Sequence, residues 1–184
     1  MRKRNLAFID LETTGLDPDR HEIIEIGCII VRQSVGPSGE RLFEVIEEFE
    51  YKVKPEHLET AEPEALRING YNDMEWLFAA DLKAVMQIIA DKTADCVMVG
   101  QNVFFDWSFL KEAFAKTGVV NRMHFQRLDL ISMVFAKHHD DEALERFNLG
   151  ALAKYFGVEN EKAHSALADI RATFEIYKKL LAKR

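Results

Sequence analysis

The chain has 184 residues, 48% of them hydrophobic, with 24 basic and 31 acidic side chains and a net charge of −7. That length and balance suit a single domain, residues 1–184, whose core needs no disulfides, and they exclude a disordered acidic chain. The apolar run after the basic start Met1-Arg2-Lys3-Arg4-Asn5 stops at Asp10, too short for a secretory signal, and no stretch is long enough to span a bilayer. Cys28 and Cys96 have neither metal-ligand spacing nor a disulfide pattern, so the expected setting is the reducing cytoplasm, with no membrane partner.

Asn5 to Asp10 reads as a short buried strand that runs into a polar turn, Thr13-Thr14-Gly15-Leu16-Asp17-Pro18. Glu22 to Arg32, rich in Ile, is a second strand, and the turn-forming run Ser34–Gly39 joins it to a third, Leu42 to Val53. Three strands so connected predict an antiparallel meander. Pro63 opens a short helix ending near Gly70, and Phe78, Leu82, Val85, Met86 and Ile89 mark an amphipathic helix to about Asp91. Cys96 to Gly100 is continuously apolar, as a buried parallel strand would be. A helix from Asp106 to Lys116 and a strand near Phe125 to Leu128 follow, then helices over Ile131–Lys137, Leu149–Phe156 and Ser165–Leu181. In the last helix the predicted buried stripe is Leu167, Ile170, Phe174, Tyr177 and Leu181. The pattern is α/β: a mixed sheet, antiparallel in front and parallel beyond, with helices on both faces.

Asp10 and Glu12 are two apart at the end of the first strand, so both carboxylates leave the same face, and paired carboxylates suit hard divalent cations. An isolated pair of this kind more often sits in a solvated turn. Asp106 follows the buried strand across a short turn, where it could be a helix N-cap or a functional group at a strand end. Asp169 precedes the buried Ile170 and needs a partner there, and His164 precedes it at the start of the same helix. The run His138-His139-Asp140-Asp141-Glu142 reads as a solvated loop, and Phe104, Phe105 and Trp107 as base-stacking or core residues, with Phe104 or Phe105 in the core. His21, His57 and His124 carry no spacing signal.

Net acidity alone argues against a nucleic-acid partner. Between Glu40 and Glu64, however, nine Glu face only Arg41, Lys52 and Lys54, so this stretch holds −6 of the −7 and the rest of the chain is nearly neutral. Charge leaves the partner open.

Three blocks together resemble the DEDDh, or DnaQ-like, 3′→5′ exonucleases: Phe8 to Leu16, Gly100 to Asp106, and His164 to Asp169. They occur in the family's order, and the resemblance extends from Asn5 to about Leu181. It implies a ribonuclease H-like fold with a five-stranded sheet. It also implies that Asp10, Glu12, Asp106 and Asp169 hold two Mg²⁺ or Mn²⁺ ions and that His164 is the general base. Thr13, Thr14, Gly15 and Leu16 match residues that cradle the terminal nucleotide, and Asn102 and Phe105 match positions that shape its site. Gln101 stands where the family often has His. The implied reaction is two-metal hydrolysis of phosphodiester bonds at 3′ ends of single-stranded DNA or RNA, releasing 5′-mononucleotides. Other readings are a catalytically silent nucleic-acid or protein-binding module, or a phosphodiesterase for very short oligonucleotides. A polymerase is a possible partner, but no C-terminal tether follows the last helix before Arg184, which points to a stand-alone nuclease or a domain of a longer chain.

Overall fold

A computed structural model describes residues 4–159 and 165–182. Its five-stranded sheet has the order β3-β2-β1-β4-β5, with β1 Leu6–Thr13, β2 Ile23–Val35, β3 Arg41–Lys52, β4 Val97–Gly100 and β5 Arg127–Asp129. The first three strands form the antiparallel meander, and β4 and β5 continue the sheet in parallel. β3 is an edge. Between Ile30 and Val31 its register against β2 shifts, leaving Ile46 without an opposite residue as a bulge.

Alternation along β1 divides the core in two. Ala7, Ile9 and Leu11 face α2 (Leu82–Lys92) and α3 (Val103–Thr117), while Leu6 and Phe8 face α4 (Leu130–His138), α5 (Leu149–Phe156) and α6 (Ala166–Leu181). α1, Pro63–Ile68, is a short connector. Phe8 is fully buried against Phe174 and Tyr177 of α6, with ring centroids 5.0 and 5.1 Å away. No helix among the described residues is long and apolar enough to cross a membrane.

Three sequence expectations need correction. Phe78 is 93% exposed in a turn, because Asp81 caps α2 by accepting from Lys83 and Ala84 N–H, so the helix starts four residues later. α3 starts at Val103, not Asp106, because Asn102 adopts a left-handed conformation at φ 62° and turns the chain into the helix early. The His138–Glu142 run is not wholly solvated: His138 is buried at the end of α4, and Tyr155 bonds both its ring, at 3.1 Å, and Asp141, at 2.5 Å. The stripe of α6 largely holds, with Ile170, Phe174 and Tyr177 buried, but Leu180 is buried where Leu181 was expected.

Candidate active site

β1 outruns its parallel neighbour. Its pairing with β4 ends at Phe8 opposite Val99, while its antiparallel pairing with β2 continues through Thr13. The free end carries Asp10 and Glu12 on the face that Leu6 and Phe8 present to α6. From the first turns of α6 Asp169 meets them, and single oxygens of Asp10, Glu12 and Asp169 lie within 4.8 Å of one another.

Asp106 comes from the opposite layer. It lies in the first turn of α3, 3% exposed, and its Oδ1 accepts the Leu11 N–H at 3.1 Å. That N–H lies on the stretch of β1 beyond β4, so the carboxylate supplies a partner the sheet no longer offers. The capping role that Asp106 could have had is thereby displaced: it sits inside the helix and bonds the strand.

Burial, and after it the closeness of the other acids, sets the charge of Asp10, Glu12 and Asp106. Burial first, then Asp106, Asp169, Glu12 and Glu25, hold the Asp10 carboxyl well above its ordinary range. Burial, Asp169 and Glu25 push Glu12 up to about 8. Asp106 is also raised, chiefly by burial, with its bond to Leu11 opposing the rise. Buried carboxylates converging on one point, their charge disfavoured by burial and by one another, are what a divalent cation would offset and bind. The oxygen-only donor set fits a hard metal such as Mg²⁺ or Mn²⁺.

The turn after β1 is tied down by its own side chains. Thr14 is buried, and its Oγ1 accepts Glu22 N–H at 2.8 Å while its N–H donates to Glu22 O at 2.9 Å. The buried Thr13 donates its hydroxyl to Gly15 O at 2.7 Å and accepts Asn69 Nδ2 on its carbonyl at 3.0 Å. A Cβ on Gly15 would sit 2.6 Å from the His21 ring, so only glycine lets that buried ring pass beneath. His21 in turn accepts Asp17 N–H on Nδ1 at 2.9 Å. Against this anchored backbone Leu16 projects outward, 73% exposed. Asn102 stands at the N-terminus of α3, and Phe105 is half-buried with its ring 5.1 Å from Phe109. Phe105 is thus the core residue of the aromatic pair, and Phe104 is exposed. Trp107 lies under the Arg127 guanidinium, 3.3 Å from its ring centroid. Gln101 donates to Phe147 O at 2.9 Å, fixing the turn before α3. His164 lies outside the described residues.

The exonuclease family model named RNase T matches residues 7–177. The chain belongs to this family. Its fold is that of exonuclease I, with a TM-score of 0.79 at 23% identity, covering 96% of this chain and 40% of that one. Escherichia coli exonuclease I solved with a dT13 oligonucleotide aligns at a TM-score of 0.74 and 22% identity, over 95% of this chain and 40% of that one. Among curated relatives, the PolC-type DNA polymerase III of Caldanaerobacter subterraneus is 28% identical over 96% of this chain and 12% of its own length. The 3′-5′ exonuclease DinG of Staphylococcus aureus is 28% identical over 92% of this chain and 17% of its own. The chain therefore spans less than a fifth of these two relatives. Membership in the exonuclease family supports a nuclease function, and the acidic cluster supplies the means to hold a divalent metal.

One acid beside the cluster is marked by no motif. Glu25 is 5% exposed in β2, directly across from Glu12, and contributes to the raised values of both Asp10 and Glu12. The signal was present: a lone acid inside the apolar run Ile23-Ile24-Glu25-Ile26 must find a partner when the strand is buried.

Proposed function

We propose that this chain is one metal-dependent exonuclease domain that removes 5′-mononucleotides from the 3′ ends of single-stranded DNA or RNA. The observation that carries the reading is the convergence of Asp10, Glu12 and Asp169 within 4.8 Å in an exonuclease-family chain. Asp10, Glu12, Asp169 and the neighbouring Asp106 would hold Mg²⁺ or Mn²⁺, two ions per site. What these supply when bound is a water of lowered pKa and neutralisation of charge on the attacking and leaving oxygens. His164 accepts the water's proton, a task suited to a base that titrates near neutrality. The anchored backbone of Thr13, Thr14 and Gly15 receives the terminal nucleotide, and the exposed Leu16 wedges against its base. Asn102 and Phe105, at the start of α3, help shape the nucleotide site.

The single-stranded substrate is supported by the oligonucleotide-bound exonuclease I, the 3′→5′ polarity by the DinG relative, and a polymerase partner by the PolC-type relative. The buried free thiols of Cys28 and Cys96 suit the cytoplasm.

The test is a gel time course on 5′-labelled single-stranded DNA and RNA of equal sequence, with Mn²⁺, with EDTA and with Asp10→Ala. A ladder shortening from the 3′ end only with metal, and lost in the variant, is the expected result. Intact substrate in every lane would sink the nuclease reading and favour a silent binding module.

A further inference from the structure

Among the described residues no neighbour in the chain caps α6. Ser165 holds the N-cap position without a side-chain bond to the helix. Two carboxylates from the sheet take over instead. Glu25 Oε1 accepts the Ala166 N–H at 2.9 Å, and Glu50 Oε1, from β3, accepts the Leu167 N–H at 3.1 Å and the Ser165 hydroxyl at 3.2 Å. Between them the helix rests on bare backbone, since a Cβ on Gly27 would come within 2.4 Å of the Ala166 carbonyl carbon.

We infer that Glu25 and Glu50 are positioning residues for the metal site, fixing from the sheet the start of the helix that carries Asp169. The geometry is compact. Glu12 and Glu25 face each other on one rung of the β1–β2 ladder, so that rung carries a proposed metal ligand on one strand and the cap of another ligand's helix on its neighbour. Asp169 is one turn from the capped groups, its N–H bonded to Ser165 O at 2.9 Å. Without Glu25 and Glu50 the first turn loses both acceptors that hold it to the sheet over Gly27, and Asp169, on that turn, loses the restraint they give. His164, next to Ser165 in the chain, is tethered to the same end.

The inference rests on the nuclease reading, and the test separates the two. Wild type, Glu25→Ala, Glu25→Gln and Glu50→Ala are compared for kcat, KM and the Mn²⁺ concentration giving half-maximal rate. The Mn²⁺ concentration that half-raises the melting temperature is read separately, without reference to turnover. Glu25→Ala should lower kcat about 10- to 100-fold with KM within about 3-fold of wild type, and raise both Mn²⁺ midpoints. Glu25→Gln should keep kcat within about 3-fold, because its amide oxygen still accepts the Ala166 N–H. Glu50 is exposed, so Glu50→Ala leaves the core intact and should lower kcat by the smaller factor of about 3- to 10-fold. If Glu25→Ala fails to fold, Glu50→Ala decides by the same readouts. A cap that merely stabilises would lower the melting temperature and leave kcat and the Mn²⁺ midpoints within about 2-fold; that result overturns the positioning role. An inactive wild type would remove the nuclease reading, and the thermal Mn²⁺ midpoints would still judge the role of Glu25.

Discussion

Glu12→Gln should make the metal-free protein more stable in alkali while abolishing hydrolysis. Burial, Asp169 and Glu25 raise the Glu12 carboxyl from 4.5 to about 8. The folded state therefore holds a proton between those values that the unfolded chain has lost. The contribution of this group is full below about pH 4.5 and is lost as pH rises through about 8, where the folded protein must accept the charge. At about 1.36 kcal/mol per pKa unit the full displacement corresponds to about 5 kcal/mol. Glu12 is only half-buried, and solvent screening brings the expected net effect to about 2 kcal/mol. For a chain of this size that is about 4–8 °C in melting temperature. Glutamine has the same shape and no titration, so it escapes the loss. Melts in EDTA at pH 5, 7 and 9 should show the variant near wild type at pH 5 and above it by that amount at pH 9. Millimolar Mg²⁺ should narrow the gap by binding the ionised wild-type cluster. Parallel pH dependences of the two proteins, or a wild type that gains on the variant in alkali, would refute the electrostatic account.

Asp106→Asn keeps an acceptor for the Leu11 N–H and removes a charge beside Asp10, so in EDTA it should melt at or above wild type while its rate falls about 100-fold or more. Asp106→Ala orphans that buried N–H and should cost about 1–3 kcal/mol, which urea unfolding would measure. Leu16→Ala removes an exposed side chain, so stability should stay within about 0.5 kcal/mol. Its effect should be a KM on single-stranded substrate raised about 10-fold, from the loss of a wedge worth about 1–2 kcal/mol of base contact. A KM equal to wild type would remove Leu16 from the nucleotide site.

Much of this architecture was legible because local patterns agreed with the fold. The alternating and continuous apolar runs placed the first four strands, and the fifth lies two residues beyond the expected start, at Arg127–Asp129. Where expectation failed, a single residue usually overrode periodicity: Asp81 capping α2 left Phe78 outside, and Asn102 in a left-handed turn moved the start of α3. Strand alternation put Asp10 and Glu12 on one face, and the helix stripe left Asp169 needing a partner, but only the family resemblance joined the three, as the structure does. The bond from Asp106 to Leu11 could not, because it depends on β1 extending beyond β4, a length difference that no window of the sequence contains. Glu25 and Glu50 were hidden differently. They cap a helix more than a hundred residues away, and capping rules look only at neighbours in the chain.

The edge strand β3 has a bearing on how copies of this protein meet. It is twelve residues long and exposes Leu42, Val45 and Ile46, an open row of backbone and apolar side chains that could template another strand. Glu44, Glu47 and Glu48 are interleaved with them, held by Arg32, Lys92 and Arg171 respectively, and the bulge at Ile46 interrupts the row. Two such edges approaching each other would have to desolvate these ion-paired acids across a kinked seam. The acidity concentrated in this part of the chain thus keeps each molecule a poor template for the next.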